Sequence, residues 1–558
     1  MKIDTQPAAH GVLTRRRLLL GGAALAPLAL WGCGGGSSGD DEAVVSTSSG
    51  RFRGQAEGSV TAWRGVPYAQ PPVGALRFRS PQPVQPASGI VDATRFGPAS
   101  IQSIGSGVAW IYPVQDQQSE DCLTLNVWTA QTTGKRPVIV WLHGGGFRTG
   151  ATRMPLMNGR ALAERGVVVV TVNYRLGAFG LLSHPDFTDP GNGSITNWQL
   201  QDMGAALQWV RQNIAEFGGD PNQVTVMGQS GGAMHTALLA QTPAYRACFQ
   251  RAVLLSPPTL QPPVSMTLAD ANAYTELLAS RLGTTPRGLR DIPAQALHAA
   301  ELALNAQPLP AGFTSGKAWK LAPVIDGKTY LADWTRTPWP ADLPVAITYT
   351  LDEGAFWLDL YDPLSGKLLT QALPGSTAAL TGAVLPQVGS PGAAAAVIDA
   401  YTQAALAEGR STAPGDVWID IFGDRLLRVH GTRYAATIAK AGAPVRFGTF
   451  MHPVMSPGRG VPHCAELPLV FSTYALDYYK GKVGAGPTQS MLSDEVIGSI
   501  VSFARDAEPR LASGRAWPLY QPGGASSVRW GEGGTAAEVI GAVPKVEQLK
   551  VWDSIPGV

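Results

Sequence analysis

A serine set among small residues, Gly228-Gln229-Ser230-Gly231-Gly232, is the group in this chain best placed to attack a carbonyl carbon. An apolar run, Val224-Thr225-Val226-Met227, precedes it, and an Ala/Leu-rich run from Ala233 to Ala240 follows. Strand, tight turn and helix in that order force the serine into a strained elbow that lifts its hydroxyl clear of a sheet, and small neighbours let the backbone close. The hydroxyl becomes a nucleophile once a base reaches it. In a chain with 65 glycines the five-residue pattern occurs by chance, so its weight comes from what surrounds it.

Upstream, Pro137-Val138-Ile139-Val140-Trp141-Leu142 reads as a fully buried strand that runs into His143-Gly144-Gly145-Gly146-Phe147. A run of glycines lets backbone N–H groups converge on an oxygen that turns negative in a tetrahedral intermediate, and one such donor contributes ~10²–10³ in rate. Alone, the run is equally a flexible turn; beside the elbow it reads as an oxyanion hole.

In an α/β-hydrolase sheet the acid and then the histidine follow the nucleophile. Of the eight histidines, His10, His143 and His184 precede Ser230. His235, His298 and His430 fall in helical patterns and read as structural or solvent-facing. His452 and His463 both follow the apolar run Pro444–Phe450. The loop Gly460-Val461-Pro462-His463 can swing its imidazole onto a serine, and His452, nearer the strand end, is the second candidate. For the acid, the strand Val345–Thr350 ends at Asp352-Glu353-Gly354, where either carboxylate could orient the imidazole and stabilise its charged form. Periodicity does not separate the two.

Bringing these distant segments to one place takes a single large domain. The expected fold is α/β: a mostly parallel sheet flanked by helices, spanning residues 43–558. Long helical excursions, Leu268–Gln307 and Thr377–Ala441, should roof the site. Composition removes other chemistries. With 43 Lys+Arg against 41 Asp+Glu there is no basic field for nucleic acid. No metal is expected, because the chain has no C-x-x-C, H-E-x-x-H or Asp-rich calcium loop. The lack of G-x-x-x-x-G-K-[ST] leaves no sign of a nucleotide, and no cofactor is expected.

From about residue 45 to about residue 531 the chain resembles the type-B carboxylesterase and cholinesterase branch of the α/β-hydrolases. The stretches that carry the likeness are Trp63-Arg64-Gly65-Val66-Pro67-Tyr68-Ala69-Gln70-Pro71-Pro72-Val73-Gly74, Ser119-Glu120-Asp121-Cys122-Leu123-Thr124-Leu125-Asn126-Val127-Trp128 and the glycine run. Asn173-Tyr174-Arg175-Leu176-Gly177-Ala178-Phe179-Gly180 and Ala206–Ile214, continued by Phe217-Gly218-Gly219-Asp220-Pro221, extend it. The resemblance implies Ser230 as nucleophile. It implies Glu353, from the Asp-Glu-Gly turn, as acid, and His463, a short step before Glu466-Leu467-Pro468, as base. Gly145, Gly146 and Gly231 are the implied oxyanion donors.

Four positions depart from the family pattern. The elbow usually reads Gly-Glu-Ser-Ala-Gly, whereas Gln229 and Gly231 stand here, so a buried charge is gone and the backbone donor sits in a looser chain. Cys464 replaces the small residue after the histidine, as an apolar space-filler beside the site. Phe96-Gly97-Pro98-Ala99 leads to Ser100 where a cysteine often pairs with the residue matching Cys122, so that loop lacks its staple. The positions of Cys122, Cys248 and Cys464 argue against any bridge.

Residues 1–33 read as an export signal. Thr14-Arg15-Arg16-Arg17-Leu18-Leu19-Leu20 has the twin-arginine form, and the apolar run Leu18–Leu30 is short of the ~20 residues that span a bilayer. Leu30-Trp31-Gly32-Cys33 resembles the box before a lipidated cysteine, which would attach the chain to a membrane through Cys33, with residues 34–42 as a flexible tether. The expected location is the periplasm or outer membrane of a bacterium, or secretion. The implied chemistry is hydrolysis of a small-molecule carboxylic ester, of unspecified acyl and alcohol size, through an acyl-enzyme. The same triad would serve amides, carbamates or thioesters, and a non-catalytic binding or adhesion role on the same fold is an alternative that the complete set Ser230, Glu353 and His463 speaks against. Trp110 and Tyr112, in the loop Ile101–Gln118, are candidates to line a substrate gorge.

Overall fold

Stretches of β-branched and aliphatic residues, closed by glycine or polar turns, build a sheet that is buried on both faces. The computed structural model describes residues 43–103, 117–259, 264–316, 320–361, 368–370, 373–454, 460–506, 508–523 and 526–555. The leader, Cys33, the tether, Trp110 and Tyr112 lie outside them.

The main sheet runs through β1 (Gln55–Glu57), β2 (Val60–Pro67), β3 (Thr124–Thr129), β4 (Arg136–Leu142), β5 (Val168–Val172) and β6 (Gly219–Gln229). It continues with β7 (Arg251–Leu255), β8 (Val345–Thr350), β9 (Val445–Phe450), β10 (Ser527–Trp530) and β11 (Glu538–Gly541). Their order across the sheet is β11-β10-β9-β8-β7-β6-β4-β5-β3-β2-β1. From β5 to β10 the neighbours are parallel. The outer strands pair antiparallel. Parallel strands of this kind must be covered on both sides, which is why β5 reads Val-Val-Val-Thr-Val with every residue buried. Alternation in β4 shows the two cores. Val138, Val140 and Leu142 pack with Leu207 and Val210 of the helix Trp198–Asn213, while Ile139 and Trp141 share a cluster with Ile497 and Phe503 of the helix Pro487–Arg505.

Register fixes where the chain leaves the sheet. Gly228 of β6 lies opposite Leu142 on one side and Leu254 on the other, and Thr350 of β8 lies opposite Phe450 of β9. Ser230, Ser256, Glu353 and His463 therefore all follow the carboxyl ends of β6 to β9, the side on which open α/β sheets bind ligands.

The first excursion forms the helices Leu268–Arg281 and Ala294–Asn305. Its buried Glu301 accepts the N–H of Ala178 at 3.1 Å, which ties it to the helix Gly177–Leu181. The second contains Thr377–Val388, Pro391–Ala407, Pro414–Gly423 and Val429–Lys440. Ser376 and Ser390 cap the first two by accepting the N–H groups of Ala379 and Ala393, each at 3.2 Å. Val384, Val397, Tyr401, Ile421 and Trp552 give this part its own apolar core.

A buried cation fastens that second excursion to the end of β8. Lys545 Nζ donates to Asp352 Oδ1 at 2.9 Å, Asp420 Oδ1 at 2.6 Å and the carbonyl of Leu351 at 3.1 Å. Burial alone would lower the Lys545 pKa, but the carboxylates of Asp352 and Asp420 raise it. Removing one partner of a buried ion pair costs more than the pair contributes, because the remaining charge has no solvent. Lys545→Met is therefore expected to lower stability by about 3–5 kcal/mol, seen as a fall in the calorimetric Tm. An unchanged Tm would show that Asp352 and Asp420 do not need the ammonium.

Candidate active site

Ser230 has φ 53° and ψ −123°, a conformation that costs a residue with a side chain and persists only where its surroundings enforce it. Two neighbours do so. The N–H of Ser230 donates to the Leu255 carbonyl at 2.9 Å, and the Ser230 carbonyl accepts from Met234 in the helix Gly231–Gln241 at 3.1 Å. The turn closes only around glycine: a Cβ on Gly228 would press on the backbone of Gly232, and one on Gly232 on the carbonyls of Leu142 and His143.

Glu353 and His463 form a buried pair, with Nδ1 of the imidazole 2.5 Å from Oε2 of the carboxylate. The other carboxylate oxygen accepts from Ser256 Oγ at 2.6 Å and from the Thr350 N–H at 2.8 Å. Burial raises the Glu353 pKa, but His463, Ser256 and Thr350 outweigh it and hold the carboxyl below its ordinary value. Rings of Phe356 and Trp357 flank the imidazole at 5.1 and 5.0 Å between centroids. They fix its plane and shield the pair from water.

Gly145 and Gly146, at φ 114° and 58°, give their N–H groups to no backbone acceptor among the described residues. Gly231 opens its helix, where the N–H has no intrahelical partner. An apolar pocket stands over Ser230, Gly146 and Gly231, walled by Phe147, Pro258, Val264, Trp357, Leu426 and Leu427. Leu426 and Leu427 come from the second excursion. The first supplies none of these walls. Gly231 answers to Phe147: a Cβ there would lie 3.0 Å from the ring, tighter than most packing allows.

The alternatives left open by pattern alone sit elsewhere. Asp352 is held by Lys545 and accepts the Val461 N–H at 2.9 Å, so it anchors the loop before His463. His452 contacts the side-chain amide of Gln489 at 3.0 Å. His235 is buried, with its ring 5.3 Å from Phe147 and 5.9 Å from Tyr174. His430 is buried beside Arg425, so neither of these two faces solvent. Cys464 is more than a space-filler. It has φ 73°, and its thiol accepts the Gln229 amide at 3.1 Å. Cys122, Cys248 and Cys464 are all free. Glu466 is buried with no hydrogen bond from either carboxylate oxygen to another described residue, and burial, then Glu353, push its pKa to about 8.

Ser256, Thr350, Phe356 and Trp357 escaped the motif reading. Position carried a signal for two of them: Ser256 directly follows a strand at the sheet's carboxyl edge, and Trp357 lies on the short helix Ala355–Leu358 just past the acid.

Known hydrolases and esterases resemble this chain along most of its length. The chain is 33% identical over 495 residues to a phenmedipham hydrolase of Pseudarthrobacter oxydans, covering 86% of this chain and 93% of that one. It is 32% identical over 490 residues to the para-nitrobenzyl esterase of Bacillus subtilis, covering 86% and 92%. Among solved structures, a Geobacillus stearothermophilus carboxylesterase superposes with a TM-score of 0.71 at 30% identity, over 91% of this chain and 99% of that one. The profile of the carboxylesterase family matches residues 41–540. The chain belongs to the carboxylesterase family of the α/β-hydrolase superfamily and is a serine carboxylic ester hydrolase.

Proposed function

We propose that this carboxylesterase works through Ser230, His463 and Glu353 by an acyl-enzyme route, and that it does so outside the bacterial cytoplasm. His463 Nε2 takes the proton of Ser230 Oγ as that oxygen attacks the ester carbonyl carbon. The N–H groups of Gly145, Gly146 and Gly231 hold the carbonyl oxygen as it becomes negative. Collapse expels the alkoxide, which leaves as the alcohol with the proton from His463, and the acyl group stays on Ser230. Water then attacks, giving its proton to His463; the second collapse frees the acid and returns the proton to Ser230 Oγ. Glu353 keeps Nδ1 protonated throughout and stabilises the imidazolium of both steps.

The observation that carries this reading is the buried Glu353–His463 pair at 2.5 Å, next to the strained Ser230 elbow. Apolar walls over the serine favour an acyl group without charge. Likeness to a phenmedipham hydrolase and to a fumonisin B1 esterase, named for different substrates, sets no substrate by itself. Support for export is the leader itself, with its paired arginines and the box ending at Cys33. No helix among the described residues is long and apolar enough to cross a membrane. The proposed attachment is lipid on Cys33, reinforced by a second acyl signal, since one chain holds only marginally.

Two measurements test this. Hydrolysis of p-nitrophenyl esters from acetate upward should fall at least ~10³-fold in Ser230→Ala and ~10³–10⁴-fold in Glu353→Gln, while Asp352→Asn loses less than ~10-fold. A crippled Asp352→Asn beside an active Glu353→Gln would reverse the acid assignment. In a bacterial host, fatty-acid labelling of the full chain should disappear in Cys33→Ser. A wild-type chain that takes up no label contradicts the anchor.

A further inference from the structure

Among the described residues, the hydroxyl of Ser230 is not bonded to the imidazole. Nε2 of the imidazole faces the Gln229 amide instead, whose Nε2 lies 2.9 Å from it and 3.1 Å from Sγ of Cys464. Donor and acceptor follow from the other end of the ring. Nδ1 faces the Glu353 carboxylate and so carries the hydrogen, which leaves a lone pair on Nε2 of the neutral ring. The partner on that side must donate, and the amide NH₂ has two hydrogens, one for each acceptor. Its oxygen is turned to Gly144, where any Cβ would collide with Oε1. One amide thus spans the oxyanion run, the base and the thiol.

We propose that Gln229 is a positioning residue that sets the pH at which the general base becomes available. By donating to Nε2 it stabilises the neutral, proton-accepting ring against the imidazolium, and it yields the lone pair to Ser230 when an ester enters. This rests on the Ser230–His463–Glu353 assignment above and concerns how that base is tuned. A glutamate at the same position would accept from a protonated Nε2 and favour the opposite state. Gln229 therefore has a chemical consequence beyond filling space in the elbow.

Other ionisable groups face the same ring. Glu353 lies on Nδ1, with Arg428 acting on it from the second excursion. Asp352, paired with Lys545, anchors the preceding loop. Glu466 and Cys464 lie on the segment of His463 itself. Burial holds Glu466 to about 8 and pushes the Cys464 thiol well above its ordinary value, so both act on the alkaline side.

The test is the acid limb of kcat/KM for p-nitrophenyl acetate in wild type, Gln229→Met and Gln229→Glu, with fluorophosphonate labelling of Ser230 run alongside. Gln229→Met keeps the length and removes both donors, and should move the limb up by about half to one pH unit. Gln229→Glu, the isostere, should move it up further, by about one to two units. A limb that stays in place in both variants, or moves down, overturns the proposal, since a purely structural role would lower rates at every pH alike. If wild-type Ser230 takes no label, the triad assignment itself fails; labelling with an unmoved limb removes only the role of Gln229. Should Gln229→Met not fold, the Gln229→Glu limb decides alone.

Discussion

A carboxylate buried at the edge of an apolar sheet has to find every one of its donors inside the protein, and much of this molecule is arranged around that demand. Glu353 finds three: the imidazole of His463, the hydroxyl of Ser256 and the N–H of Thr350. These come from the ends of three strands, β7, β8 and β9 or the loop beyond it. The register of the parallel sheet is therefore a condition of the acid's ionisation, since a one-residue slip in β7 or β8 would turn Ser256 or Glu353 to the other face. In the proposed mechanism the charge held there stabilises the imidazolium of His463.

Around this pair the fold sets a second constraint, strain at Ser230. An L-residue at φ 53° needs a backbone that offers no alternative, and the close approach of Gly228, Gly232 and the Leu142 carbonyl supplies it. The departures from the family's usual elbow then have physical content. Gly231 leaves room for Phe147, and Gln229 brings an uncharged donor to the imidazole where a carboxylate is usual. Cys464, in a left-handed conformation beside the histidine, takes the second hydrogen of the same amide.

What the sequence disclosed was mostly local in chain order. The Ser230 elbow, the glycine run and the strands feeding them are contiguous patterns, and their apolar runs fit strands covered on both faces. Asp352 and Glu353 are adjacent and could not be told apart by period. What separates them is Lys545, 193 residues beyond Asp352, which claims that carboxylate for the roof. Ser256 stayed hidden because nothing in Leu255-Ser256-Pro257 marks a hydroxyl as an acid's donor until β7 lies beside β8. In the fold His452 is set apart by Gln489, 37 residues further along the chain, whose amide lies against its ring. The helical excursions were visible as alanine- and leucine-rich stretches, whereas which of them walls the pocket depended on three-dimensional packing alone.

The central claim, that Ser230 is the nucleophile of a site whose oxyanion donors are Gly145, Gly146 and Gly231, is tested most directly by a crystal structure of the enzyme inactivated with a p-nitrophenyl phosphonate. The account predicts phosphorus bonded to Ser230 Oγ and a phosphonyl oxygen about 2.7–3.1 Å from the N–H groups of those three glycines. A covalent adduct on another residue, or a phosphonyl oxygen turned away from the glycine run, would contradict it.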